Sequence, residues 1–521
     1  MYTRCNPALI DNVLLADRKR YATTQPPDYS MLSIVSLALA VAISSPTQDS
    51  SRHADAHTAT ATAASIVDTA IARMGGLPAL QGIKTVRYHL AIQWLNPNFD
   101  ARPYRDSPSY EFDTDYRDYD ARIWRNTRHF SRGAGWLEYL DLVVDTVAAR
   151  QGPNLTRSIP TPAGVVDGWA PLDIAYIDER RELFALTPDR LVLALKNARD
   201  LSSHADTLIG GIRHVAVSGT VEGYPMTAFF RQTDGMLALA RYHADESNDY
   251  GLAPWGPMDV EVWYSVWQRD GDGRAYLPRQ WDIARVGRAY KRITVLDVAF
   301  DSTMSADSLT LSASVRDAYL KYARKPMADL PLDSASFAAN GRMALFNTPG
   351  APRAAVKIGA EWFLLEPGNL PLNAERAAAW LAEHDKGSRV AGAMVSREWP
   401  MGGAAWVARS KLPIYLAPAD AQGLKTSLAN FGAPVTSMHV VSAGQWIRTS
   451  SAPRDSAWVE PVDVPSTSRA MLIFVPSMKW MYSSGIAGPL DQEFIARRIA
   501  QRGWSVEHIG TLQLPAGAPP S

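Results

Sequence analysis

The sequence predicts an α+β protein of two domains: an antiparallel β-rich N-terminal domain with an opening helix, then a layered α/β domain. Three observations predict it. The chain has 521 residues, more than one ordinary domain holds. Period-two alternation dominates from Thr85 to about residue 305. Beyond Gly341, strand-like and helix-like segments recur in turn, the signature of a layered α/β unit.

Residues 1–64 read as a signal-peptide region with a flexible mature start. Met31–Ile43, MLSIVSLALAVAI, is an apolar run too short for an ordinary membrane span, and a polar Ser/Thr/Ala/His stretch follows it. Arg18, Lys19 and Arg20 serve as a distant basic region if Met1 is the start; otherwise Met31 is the initiator. Export to a secreted or periplasmic location is expected, with an uncleaved N-terminal membrane anchor as the alternative. Cys5 is the only cysteine and precedes the processing site, so the mature chain would have no disulfide, thiolate ligand or Cys nucleophile.

Ser65–Leu80 predicts a short helix behind a Ser65 cap, with Ile66, Ala70 and Met74 or Val67 and Ile71 on one face and a stop at Gly75-Gly76. Strand-like runs follow at Thr85–Trp94, from Tyr110, from His214, from Pro225 and from Val260. Asp234-Gly235 and Asp270-Gly271 or Asp272-Gly273 suit tight hairpin turns. The expected product is a large antiparallel sheet of many hairpins within 65–305, and 306–340 reads as a connector with one short helical stretch. The second domain, 341–521, opens with MALFNTPG and AAVKIGAEWFLLEPG as buried strands. Asn373 then caps a helix with Ala377, Trp380, Leu381 and His384 on its apolar face.

Charge excludes some classes. Lys plus Arg and Asp plus Glu each total 53, so no whole-chain field points to nucleic acid or an anionic membrane. The 16 Trp and 20 Tyr lie largely in strand-like segments and suit half-buried sheet faces better than a sugar platform. Asp113, Asp115, Asp118 and Asp120 invite a calcium reading, yet they lack the EF-hand Gly and distal Glu. Alternation with Phe112, Tyr116 and Tyr119 suits a solvated strand face. No serine-hydrolase elbow, phosphate loop or dinucleotide fingerprint is present. Ser483 and Ser484 have no evident general base in the sequence.

The stretch from Gly392 to Pro418, GAMVSREWPMGGAAWVARSKLPIYLAP, resembles the metal-binding turn of metallo-β-lactamase-fold hydrolases, in which a strand ends in Thr-His-x-His-x-Asp-His-x-Gly-Gly. With Gly402 and Gly403 as anchor, the ligand positions fall on Val395, Arg397, Trp399 and Pro400. Val, Trp and Pro offer no lone pair suited to zinc, and a guanidinium repels it. Counting back from Pro476 and Lys479 in AMLIFVPSMKWMYSSG, the third metal His falls on Ser466. The bridging Asp falls on Gly485 and the terminal His near Gln513. His384, His439 and His508 are the only histidines of this domain, and none forms a His-x-His pair. The resemblance implies an αββα sandwich over 341–515 without the family's zinc; no cofactor is expected.

The first domain, 65–305, resembles LolA-like lipoprotein carriers through ARMGGLPALQGIKTVR, the TAFFRQTDGMLALAR hairpin and the run from Trp263 to Phe300, and the resemblance implies a sheet curved into a half-barrel. Together the resemblances imply a secreted, hydrolase-like but non-catalytic protein with a binding or structural role. Val395, Arg397, Trp399, Ser466 and Gly485 would line the vacated pocket. Arg397 and Trp399 would either plug it or meet an anionic or acyl-bearing small molecule. One alternative is an active hydrolase with atypical ligands or nucleophile; the other is a LolA-like carrier of lipid or lipoprotein.

Overall fold

The computed structural model describes residues 62–95, 109–132, 135–153, 155, 164–270, 272–332, 335–348, 350–396, 401–449, 455–464, 467–483 and 489–510. Helix α1, Ala63–Arg73, starts where Thr62 adopts an extended backbone and its side chain accepts from the Ser65 N–H. The cap is therefore Thr62 rather than Ser65, because a hydroxyl just outside the helix reaches an orphan N–H of the first turn. Ile66, Val67, Ala70 and Ile71 form its buried stripe. The chain breaks at Gly75 and Gly76, both at positive φ, and a Cβ on Gly75 would sit 2.4 Å from the Arg274 carbonyl oxygen. Helix α2, Leu77–Gly82, follows.

Thirteen strands come next: β1 Thr85–Trp94, β2 Ser109–Asp118, β3 Ile123–Arg132, β4 Gly135–Val144, β5 Val147–Gln151, β6 Ala170–Pro171, β7 Ser202–Ile209, β8 Ile212–Val221, β9 Tyr224–Arg231, β10 Leu237–Ala244, β11 Met258–Arg269, β12 Tyr276–Arg285 and β13 Arg288–Phe300. They form one antiparallel sheet in the order β6-β5-β4-β3-β2-β1-β13-β12-β11-β10-β9-β8-β7. Two meanders thus join along β1 and β13, the first and last strands. The run from Tyr110 is not one strand: it turns at Arg122, which has positive φ, and returns as β3. Helices α3, Ala175–Leu186, and α4, Pro188–Asn197, lie between β6 and β7. In β1, Val86, Tyr88, Leu90 and Ile92 are buried while Arg87 and His89 are exposed. The buried side chains join those of α1, α3 and α4 in one apolar core, so the helices cover a single face of the sheet.

After the short helix α5, Ala313–Ala318, a second sheet begins. It contains β14 Ser336–Ala338, β15 Met343–Leu345, β16 Ala354–Ile358, β17 Glu361–Leu365, β18 Arg389–Val395, β19 Ile414–Leu416 and β20 Met438–Val440 in that order. From β17 to β20 neighbouring strands are parallel, as the crossovers through α6 Pro371–His384, α7 Ala404–Arg409 and α8 Ala421–Asn430 require. A third sheet holds β21 Gln445–Arg448, β22 Ser456–Val464, β23 Thr467–Val475, β24 Trp480–Tyr482 and β25 His508–Gly510, with helix α9 Pro489–Arg502 beside it.

Burial sorts these elements into layers. Trp362 and Leu364 of β17 pack with Ala377 and Leu381 of α6, whereas Phe363 and Leu365 face Val459, Met471 and Ile473 of the other sheet. Leu472 and Phe474 point the opposite way, toward Ile495 of α9. The order is helix, sheet, sheet, helix. Two local expectations are corrected. Asn373 is not the cap but the third helical position, and its side chain accepts from the Leu370 N–H. His384 leaves the apolar face: it is exposed and stacks on Trp380 at 4.3 Å between ring centroids.

The two halves meet through the loop between β10 and β11. The Ser427 hydroxyl donates to the Pro254 carbonyl, the Asn430 side chain donates to the Trp255 carbonyl at 2.9 Å, and Gly256 sits against the Phe431 ring. Thr62–Ser521 is accordingly one compact unit. Among the described residues no helix is long and apolar enough to cross a membrane.

Candidate functional site

The interior of the β-rich half is charged at one end. On β2 the side chains of Glu111, Asp113, Asp115 and Arg117 point toward the helices, and Asp113 and Asp115 are only 5% and 2% exposed. Phe112, 46% exposed, takes the outer face. The expectation of a solvated acidic strand face is therefore overturned for Asp113 and Asp115. Asp118 and Asp120 are not buried and Tyr116 and Tyr119 are, as expected; Asp113, Asp115 and Phe112 depart from the expectation, because polar partners on neighbouring elements receive the two buried acids. Arg117 donates from Nε to Asp115 at 2.7 Å and from Nη1 to the Thr187 hydroxyl at 2.6 Å. The Trp124 indole donates to Asp115 at 3.0 Å, and Asn126 donates to Asp113 at 2.7 Å.

A second tier binds helix α3 to the sheet. Arg128 on β3 lies 3.1 Å from Asp141, 3.5 Å from Glu111 and 3.2 Å from Glu179 of α3. Arg150 is held by Asp141 at 2.5 and 2.7 Å and also donates to the Tyr176 hydroxyl at 2.9 Å. One turn along α3, Glu182 accepts twice from Arg285 Nη2 at 2.7 Å and once from the Tyr242 hydroxyl, while Arg285 Nη1 lies 3.3 Å from Glu246. Lys291 of β13 lies among these groups with its ammonium 4.5 Å from the Trp94 ring centroid. Burial lowers the Lys291 pKa against the pull of Glu179 and Glu182. Burial, then the Glu111 charge, pushes Asp113 well up, and burial also raises Glu179.

The space between these groups is a cavity of about 20 Å³, lined by Leu90, Ile92, Trp94, Asp113, Asn126, Arg128, Glu179, Leu183 and Lys291 among others. It has room for one water. Asp113 Oδ1 and Asn126 Oδ1 are buried there without a hydrogen-bond partner. Arginines and Lys291 alternate with the acids, and among the described residues no group of three or more His, Cys, Asp or Glu is placed to hold a metal. A much shallower surface groove of about 660 Å³ lies over α6, beside Leu332, Arg376, Trp380, Glu383 and His384. Arg376 is already committed there, donating to the Ala328 and Leu330 carbonyls.

In the C-terminal half, Val395 ends β18 and is 1% exposed, packed with Ala393, Leu364 and Leu416 in the core under the helices. Arg397, Trp399, Pro400, Ser466, Gly485 and Gln513 lie outside the described residues. Beside Val395 the polar element is Glu366, buried at the end of β17 with φ 54°. One of its oxygens accepts the Ser396 N–H at 3.0 Å and the Ser396 hydroxyl at 2.5 Å, and the Ser396 carbonyl accepts the Met471 N–H of the third sheet at 3.2 Å. A polar chain thus ties both sheets at this end. Gly402 and Gly403 pack on backbone: a Cβ on either would sit 2.0 Å from the Asn369 or the Pro367 carbonyl oxygen. Their presence is explained by close approach of two turns.

Sequence reasoning missed the inward charges of Arg128, Asp141, Glu179, Glu182, Arg285 and Lys291. The available signal was that polar residues fill alternate positions of adjacent strands where an apolar stripe is expected, as Glu111, Asp113 and Asp115 do beside Asn126 and Arg128.

No protein-family model matches the sequence, and no curated protein matches it significantly. Among solved structures, the chain is similar to a DUF1329 family protein from Desulfovibrio piger, with 11% identity, 48% of this chain and 97% of that one covered, and a TM-score of 0.30. It is also similar to a LolA superfamily protein from Nitrosomonas europaea, with 10% identity, coverages of 48% and 99%, and a TM-score of 0.29. The comparisons lend no support to a metallo-β-lactamase fold in the C-terminal half. The architecture described above rests on this chain's own strand order and burial.

Proposed function

We propose that this chain is a non-catalytic binding protein, exported by its Met31–Ile43 segment, whose β-rich half carries an acyl-bearing ligand, a lipid or a lipoprotein, in the manner of LolA-like carriers. The observation that supports this reading is the seam between α3 and the sheet. The last turns of α3, from Glu182 to Leu186, are buried, whereas Ala175–Glu179 are only half-buried, with Tyr176 and Ile177 at the edge of the core and Glu179 paired to Arg128 of the sheet. A seam closed by ion pairs opens at lower free-energy cost than one closed by apolar side chains, since buried pairs contribute little net stability over hydrophobic packing. Raising the first turns of α3 would uncover Leu90, Ile92 and Ile293, an apolar wall suited to an alkyl chain. Organic extraction of the purified protein followed by mass spectrometry tests the proposal. A co-purifying acyl lipid, or saturable uptake of a fluorescent fatty acid, is expected, and absence of both sinks it.

A second reading concerns the C-terminal half. The helix-sheet-sheet-helix order, with apolar Val395 at a position where the resembled hydrolases hold metal, supports a hydrolase-derived frame retained for binding or assembly. Elemental analysis of the purified protein is expected to find no stoichiometric zinc or iron. A full equivalent of either would favour the alternative, an active hydrolase with atypical ligands.

A further inference from the structure

Three largely buried cations of the sheet, Arg128 on β3, Arg285 on β12 and Lys291 on β13, gather under a single stripe of helix α3. The helix answers two of them. Glu179 meets Arg128 at 3.2 Å, and Glu182 chelates Arg285 with both oxygens at 2.7 Å. Three positions apart, these two glutamates project from the same side of the helix. Lys291 is left over: among the described residues no carboxylate lies within ion-pairing distance of its ammonium, and Trp94 is its cation–π partner. A largely buried ammonium that carboxylates act on only from beyond contact, as Glu179 and Glu182 do here, keeps much of its desolvation cost uncompensated. Its neighbours toward the helix, Leu90, Ile92 and Ile293, are apolar, so this corner joins a hydrocarbon wall to a charged end, where Arg128 also meets Asp141 and Glu111 of the sheet and Arg285 also meets Glu246.

We propose that helix α3 is an internal stand-in for the ligand: Glu179 and Glu182 occupy cations that, with Lys291, receive the anionic group of an amphiphile when the first turns of α3 lift. This inference rests on the carrier reading and names the ligand's class, an alkyl chain ending in a carboxylate or phosphate. The size of the closed cavity, about 20 Å³, explains why the helix must move: the space holds one water and no headgroup. The helix is built to lift from one end, because Leu183, Phe184 and Leu186 are buried in the core while Ala175–Glu179 are half-buried, with Tyr176 and Ile177 packed at the core's edge. An incoming anion exchanges one carboxylate partner for another at Arg128 and Arg285 and gives Lys291 a counter-ion.

The test uses the intact chain and two probes with the same tail, dodecyl phosphate and dodecyl maltoside, with binding followed by calorimetry and by fluorescence of the adjacent Trp94 and Trp124. Dodecyl phosphate should bind the wild type more tightly than the maltoside. Glu179→Gln with Glu182→Gln should tighten dodecyl phosphate about tenfold and leave the maltoside unchanged, since a charged hydrogen bond carries roughly that much. Lys291→Met should weaken dodecyl phosphate by about the same factor, and Lys291→Arg should keep it. Where the double glutamine variant fails to fold, as judged by circular dichroism, the two Lys291 variants decide. Equal binding of both probes, unmoved by Lys291→Met, overturns the anionic assignment and leaves the carrier reading standing. No binding of either probe overturns both.

Discussion

Each half of the molecule buries a functional-looking spot at the end of its strands, and the two fill it in opposite ways. Under α3, the β-rich half keeps Asp115, Arg117, Arg128, Glu182 and Arg285 buried or nearly so in ion pairs and buries Asp113 against Asn126. At the end of β18, the layered half packs Val395 into the apolar core and leaves the Glu366–Ser396 pair as a structural tie. Desolvated ion pairs add little net stability over hydrophobic side chains of similar volume, so the first arrangement is the one that folding alone does not explain. Buried polarity is itself of two kinds here: the Glu366–Ser396 pair ties two sheets together, whereas the charges under α3 are the ones we propose to exchange partners.

Four experiments can break or sharpen that contrast. The largest effect is expected from Val395→Asp, which puts an unpaired carboxylate into the apolar core under α6 and α7. Urea denaturation should show a loss of about 4 kcal/mol or more, and a loss below about 1 kcal/mol would mean that water reaches this position. Next comes Arg285→Met in the other half, which strands Glu182 and Glu246. About 3 kcal/mol should be lost, most of it as the penalty of leaving the Glu182 carboxylate without its ion pair. If Arg285→Met proves neutral, the charged seam is already hydrated in the native state.

The third experiment is a pH series. Burial, then the neighbouring Glu182, pushes Glu246 up to about 8, above its ordinary carboxylate range. The folded state then holds a proton that the unfolded chain has already released. Its stabilising contribution is complete below the ordinary carboxylate pKa and is lost as pH rises through about 8. The urea midpoint should therefore fall between about pH 5 and pH 9, and Glu246→Gln should flatten the fall. The smallest effect belongs to His384→Ala. An exposed ring stacked on Trp380 should be worth less than about 0.5 kcal/mol by thermal unfolding, and a larger loss would make the groove over α6 more than surface relief.

Much of the fold was legible because local chemistry and tertiary packing agree there. Thr85–Trp94 alternates so regularly that its strand limits follow from the sequence, and Asp234-Gly235 makes its turn with Gly235 at positive φ. The helix after Glu366 and the parallel crossovers likewise follow from the recurrence of strands and helices. Asp113 and Asp115 could not be assigned a face from sequence, because alternation fixes which residues share a face and says nothing about which face is covered. That choice depends on Arg117, Asn126, Arg128 and the distant helix α3. For the same reason Gly402-Gly403 suggests a lost metal turn in the sequence alone, whereas the structure accounts for both glycines by the nearby Asn369 and Pro367 carbonyls.

The loop that carries Pro254, Trp255 and Gly256 has a consequence for how the chain can be divided. Trp255 is buried, its carbonyl and that of Pro254 are capped by Asn430 and Ser427, and Phe431 closes over Gly256. Cutting the gene between the halves would give each product a raw apolar edge with orphaned carbonyls on one side and orphaned donors on the other. The halves should melt in one cooperative step and express poorly when separated, so a fragment strategy for crystallisation or binding assays works against the way this molecule holds itself together.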